Sequence, residues 1–194
     1  MSQISAYGNL AYSLAGGAAS WGDPGAAVFA PDDSYTDPGF LGYGDFTNIL
    51  KVNSLPADFS AIPDTATIDG LEIVLYVDGE GVDAIIYSGD PYIYLGTERQ
   101  YVADAPGFWP VAVGGHSQPY TLGGAADKWG IAGFTPARLK VQVLGLYISV
   151  MNYDNDDPWT PKLDAVKFVI HYTEAAVVVI PESHYGLRHP RLRR

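Results

Sequence analysis

The chain predicts an all-β fold, an antiparallel β-sandwich of jelly-roll-like character, and three observations carry that expectation. Leu71-Glu-Ile-Val-Leu-Tyr-Val77 alternates so that Leu71, Ile73, Leu75 and Val77 share one face, as a half-buried strand requires. Leu163 to Tyr172 alternates in the same way, with Leu163, Ala165, Lys167, Val169 and His171 opposite Asp164, Val166, Phe168, Ile170 and Tyr172. The 22 Gly and 14 Pro are spread without a collagen-like period, which suits turns between short strands. No amphipathic helical run of ordinary length and no internal repeat interrupts this pattern.

A length of 194 residues suits one domain with a substantial core. Residues 1–44 read as an extended N-terminal arm with one or two short strands, residues 45–180 as the sandwich, and residues 181–194 as a basic C-terminal tail. In the arm, Asp23-Pro24-Gly25, Pro31-Asp32-Asp33 and Asp37-Pro38-Gly39 are turn signals that disfavour any long element. A short strand is expected at Ala26 to Phe29, with Trp21, Phe29, Tyr35 and Phe40 holding the segment to the body.

Strands are then expected at Asn48 to Asn53 and from Ala66 to Val77. Asp78-Gly79-Glu80-Gly81 tolerates positive φ, so Val82 to Tyr87 is expected to return as a hairpin. Tyr92 to Leu95 and Val111 to Val113 follow as strands. Thr135-Pro136-Ala137-Arg138-Leu139 places a capping hydroxyl before a proline at the first helical position, which predicts one helical turn before a strand from Lys140 to Met151. Leu163 to Tyr172 closes the sandwich, and Ala176 to Ile180 adds an edge strand.

Charge is distributed unevenly. Four of the 11 Lys and Arg residues, Arg188, Arg191, Arg193 and Arg194, lie in the last seven positions, which leaves 7 basic against 22 acidic side chains, or −15, in residues 1–187. Such a body repels phosphate backbones and anionic membranes, so neither nucleic acid nor membrane is an expected partner. The four guanidiniums suit bidentate contacts to carboxylates on a neighbouring subunit, and the tail is expected to bind there. Charged residues make up only 17% of the chain, against roughly 25% in ordinary soluble domains, which leaves weakly charged surface for interfaces. With no cysteine, disulfides, thiolate metal sites and cysteine nucleophiles are excluded. The first twenty residues contain no Lys or Arg, and no signal peptide is expected.

Catalytic motifs are absent. Ser117 follows His116, but their Gly-Gly-His-Ser setting does not match a nucleophile elbow. Asp154-Asn155-Asp156-Asp157 offers oxygen ligands without the order of a calcium loop, and reads as a solvated turn. His116, His171, His184 and His189 lack metal-ligand spacing, and His171 reads as a partly buried strand residue. No enzyme activity, cofactor or metal is therefore expected. Among the 14 Tyr and 4 Trp, the residues Tyr92, Tyr94, Tyr101, Trp109, Tyr120 and Trp159 are candidates for stacking on sugar rings, against the alternative that they serve the core or a protein interface.

Four segments in sequence order carry a family resemblance: Ile62-Pro-Asp-Thr-Ala-Thr-Ile-Asp-Gly-Leu-Glu-Ile73, Leu122-Gly-Gly-Ala-Ala-Asp-Lys-Trp-Gly130, Phe134-Thr-Pro-Ala-Arg-Leu139 and Leu163-Asp-Ala-Val-Lys-Phe-Val-Ile-His-Tyr-Thr173. Across residues 45–173 the chain resembles a β-sandwich domain found in structural proteins of tailed bacteriophages. Similar sequences often carry Asn-Phe-Gly-Val where this chain has Val143-Leu-Gly-Leu-Tyr147. The resemblance implies a virion component assembled in the host cytoplasm. Capsid decoration or cementing is its expected role, and a tail, neck or fibre component or a carbohydrate-binding module is the alternative. It further implies the major capsid protein or other virion subunits as partners and a homo-oligomer such as a trimer. Ile68, Ile73, Trp129, Phe134, Val166, Phe168 and Ile170 would fill the space between two sheets.

Overall fold

The computed structural model describes residues 1–39, 41–80, 84–86, 92–101, 117–152 and 160–176. Among them are two antiparallel sheets and a two-stranded ribbon. The strands in chain order are β1 (Ser2–Tyr7), β2 (Leu10–Leu14), β3 (Ile49–Asn53), β4 (Thr67–Glu80), β5 (Ala84–Ile86), β6 (Tyr92–Leu95), β7 (Glu98–Tyr101), β8 (Gln118–Gly124), β9 (Leu144–Ile148), β10 (Val150–Asn152) and β11 (Thr160–Thr173). The four-stranded sheet has the order β1-β11-β4-β8, the five-stranded sheet β2-β3-β9-β6-β7, and the ribbon joins β10 to β5.

The long β4–β11 pair forms because both strands alternate. Leu71, Ile73, Leu75 and Val77 face inward beside Leu163, Val166, Phe168 and Ile170, and all eight are fully buried. From the other sheet Leu50, Val52, Ile93, Leu95, Leu144, Leu146 and Ile148 close over them in one cluster. Trp129, Phe134 and Ile68 belong to the same cluster, so the seven residues expected between the sheets lie in one core. Each large side chain so buried contributes about 1.5–3 kcal/mol.

Within the segment expected to hold one or two short strands, β1 and β2 each supply an edge strand to a sheet. The chain crosses between them at Gly8, whose N–H donates to the Val166 carbonyl at 2.9 Å while the next N–H, of Asn9, donates to the Asn53 carbonyl at 2.6 Å. A Cβ on Gly8 would lie 2.5 Å from Val52 Cγ1, so the crossing needs glycine. The expected strand at Ala26 to Phe29 is a 3-10 helix, Pro24–Val28, initiated by the Asp23-Pro24-Gly25 turn and packed against β2 and β11. It shields the β2 edge, a common protection against unwanted strand pairing. Trp21 is buried as expected, with its indole N–H donating to the Asn48 carbonyl at 2.8 Å. Phe29, by contrast, is 62% exposed and holds nothing down, because the helix carries Ala27 into the core in its place. Phe40 lies outside the described residues.

Of the strand expected to return against β4 after Asp78, only Ala84–Ile86 is described, and its partner is not β4. Strand β4 continues to Glu80 against β11, and β5 pairs with β10. Both flanks of β4 are already occupied, by β11 and β8, so no edge is left for a returning strand. Helix α1 (Pro136–Leu139) is the expected helical turn, with the Thr135 hydroxyl accepting from the Arg138 N–H. Lys140 caps it, so the following strand begins at Leu144 rather than Lys140 and is divided into β9 and β10. The expected strands at 111–113 and 176–180 fall largely or wholly outside the described residues.

Candidate functional site

The outer surface of the five-stranded sheet gathers the richest set of interacting side chains. Because Leu50, Val52, Ile93, Leu144, Leu146 and Ile148 point inward, Lys51, Tyr92, Tyr94 and Tyr147 are turned outward. Cross-strand register sets two rows: Tyr12, Lys51, Tyr147, Tyr92 and Tyr101 in one, and Leu10, Asn53, Gly145, Tyr94 and Arg99 in the other.

Tyr92 stacks on Tyr147 with ring centroids 4.4 Å apart, and Tyr94 meets Tyr147 edge-on at 4.9 Å. Lys51 Nζ lies 5.0 Å from the Tyr94 centroid and 5.4 Å from that of Tyr147. On the opposite side Arg99 Cζ lies 5.2 Å from the Tyr92 centroid and 5.6 Å from that of Tyr147. Cation–π contacts of this kind contribute about 0.5–1 kcal/mol each where exposed. The Tyr94 hydroxyl donates to Asn53 Oδ1. Burial, followed by the neighbouring Tyr147, Tyr12 and Tyr92 phenols, raises the Tyr94 phenol above its ordinary value.

None of the twelve outward positions in these strands is acidic, although the chain has 22 acidic side chains. Exposed Leu10, Tyr12 and Leu14 flank the aromatic tier along β2. The arrangement suits contact with another molecule.

A second cluster surrounds Asp164, the extra residue at the β11 bulge between Leu163 and Ala165. Its fully buried carboxylate accepts the Asp32 N–H at 3.2 Å, the Asp33 N–H at 3.3 Å and the Ser117 hydroxyl at 2.6 Å. Thr36 pairs with Leu163 beside it, in the place along β11 that β1 has vacated. This is a clamp on residues 32–36, and Ser117 is one of its donors. On the outer surface of the same sheet His171 is nearly buried, as expected for a strand residue, with Nε2 3.4 Å from Glu72 Oε2. No group of three or more metal-ligating side chains occurs among the described residues.

Of the aromatic residues singled out in the sequence, Tyr92 and Tyr94 come together, and Tyr101 pairs with Tyr92 through the backbone. Tyr120 belongs to the other sheet, where it packs against the core. Trp109, Trp159, His116, His184, His189, Asp154 to Asp157 and the tail arginines Arg188, Arg191, Arg193 and Arg194 lie outside the described residues. Sequence reading missed Tyr12, Lys51, Arg99 and Tyr147. Alternation alone turned Lys51 and Tyr147 outward, but only register shows that they meet.

Fold and surface together define an all-β domain with two antiparallel sheets and a tyrosine- and cation-lined outer face. No protein-family model and no curated protein matches the chain.

Proposed function

We propose that the chain is a non-enzymatic structural subunit of a tailed-bacteriophage particle, assembled in the host cytoplasm, which decorates or cements the capsid by binding the major capsid protein or other virion subunits. The observation that carries this reading is that the four phage-like segments assemble into one part of the sandwich. The Leu71 N–H donates to the Asp127 carbonyl at 2.8 Å, and the Trp129 indole donates to the Leu71 carbonyl at 2.7 Å, joining the first two segments. The β4–β11 ladder joins the first to the fourth, and Phe134 and Leu139 carry the third into the same core. In this reading the sandwich is jelly-roll-like, the basic tail reaches toward neighbours, and many modest contacts in a repeated lattice supply avidity.

The tyrosine-rich face favours a protein partner over a sugar. Tyr94 and Tyr147 are only 5% and 8% exposed, and Tyr92 already stacks on Tyr147, which leaves Tyr12 as the exposed ring among these four. Quantitative mass spectrometry of purified particles tests the proposal. On the order of hundreds of copies per particle is the result expected of a lattice decoration. A few copies would move the protein to the neck, tail or fibre, and absence from the particle would overturn the virion reading. Removing residues 188–194 tests the tail, since particle occupancy falls if Arg188, Arg191, Arg193 and Arg194 dock on carboxylates.

A further inference from the structure

We infer that the outer face of the five-stranded sheet is a self-association surface, which receives the acidic segment 23–46 of a second copy of this chain. Residues 1–50 contain five aspartates, Asp23, Asp32, Asp33, Asp37 and Asp45, and no Lys or Arg. The same segment exposes Phe29 at 62%, Tyr43 at 56% and Phe46 at 40%. The sheet face has the complementary composition: Lys51 and Arg99, no acid at any outward strand position, and exposed Leu10, Tyr12 and Leu14.

Among the described residues Lys51 and Arg99 contact only tyrosine rings, and neither Asp23 nor Asp45 forms an ion pair. A chain with net charge −11 repels its own copies over most of its surface, so an acid-free cationic face is where a second copy is accepted. Two differing surfaces meet either reciprocally about a two-fold axis or head-to-tail, where a rotation that closes the contact produces a ring. Tyrosine and arginine are enriched in interfaces between proteins. The contact does not depend on the virion reading.

Sedimentation velocity of the full chain tests it. At about 50 mM salt the chain is expected to sediment as an oligomer, and the dissociation constant is expected to rise at least about tenfold by about 500 mM, as screening shortens the reach of the charges. The double variants Lys51→Glu/Arg99→Glu and Asp23→Lys/Asp45→Lys are each expected to be monomeric. Mixing them restores association, because every face again meets its opposite, and a folding defect cannot produce that recovery. Should either variant fail to melt cooperatively, the salt titration of the unaltered chain decides. A monomer at low salt, or an oligomer indifferent to Lys51→Glu/Arg99→Glu, overturns the inference. A monomer that retains polyglutamate through Lys51 and Arg99 also overturns it, and assigns the face to an acidic partner of another kind.

Discussion

The ring of Tyr94 lies across Gly145, its register partner on β9, in the space that a Cβ at position 145 would occupy. The missing side chain lets Tyr94 lie flat enough to reach Asn53 and to meet Tyr147 edge-on. Gly145→Ala is expected to lift the ring and cost about 1–3 kcal/mol, the usual range for overpacking. Tyr94→Phe, which loses only the hydrogen bond, should cost about 1 kcal/mol. Urea unfolding of both variants checks the order, and an unchanged midpoint for Gly145→Ala would show that the ring is not seated there.

Alkaline titration should separate the buried phenols from the rest. Burial raises Tyr94, and burial with a hydrogen bond to Asp33 raises Tyr35. Above pH 10 the unfolded chain ionises these phenols while the folded chain does not, so their contribution is complete below that pH and is lost as pH rises further. Absorbance near 295 nm is expected to show Tyr94 and Tyr35 released in a late step that coincides with unfolding. A single smooth titration of all tyrosines in the folded protein would contradict this.

The Asp164 clamp gives a local prediction. Asp164→Ala leaves the Asp32 and Asp33 N–H groups and the Ser117 hydroxyl without their acceptor. Bonds to a charged group contribute about 1.5–3 kcal/mol each and do not add fully, so a loss of about 3 kcal/mol is expected. Limited proteolysis should cut first within residues 31–38. Equal protection of that stretch in the variant would mean that the Thr36–Leu163 pairing holds it alone.

Glu98 supplies an acid-side test. The Ala132 N–H, at 2.7 Å, and then the Arg138 guanidinium, at 3.0 Å, hold its carboxyl below the usual value. A folded value below the unfolded one means that the contribution is present above about pH 4.5 and is lost as pH falls through the folded value. The melting temperature of Glu98→Gln should therefore lie below that of the unaltered chain at pH 6 and converge with it as the pH falls through the folded value. A constant difference across that range would remove the charge from the explanation.

Much of the framework is legible locally. The inward faces of β4 and β11 follow from a period of two, and α1 follows from Thr135 capping and Pro136 at the first position. Alternation in β11 misleads at Leu163 and Asp164, because a bulge inserts a residue, which turns Leu163 to the same inward face as Val166, Phe168 and Ile170 and carries an acid into a buried position. The candidate surface was half legible, since Tyr92 and Tyr94 are visible as aromatic strand residues while Lys51, Tyr147 and Arg99 acquire meaning only as their neighbours.

The sequence by itself determined the class of structure, the core-facing residues of the long strands, the turn at Thr135-Pro136 and the acidic, cysteine-free character of the chain. Tertiary structure alone decided that β1 and β2 enter different sheets, that β5 pairs with β10, and that Tyr12, Lys51, Tyr92, Tyr94, Tyr147 and Arg99 share one face. Side-chain alternation depends on adjacent residues, whereas a strand's partner depends on which edges remain open once distant strands have paired.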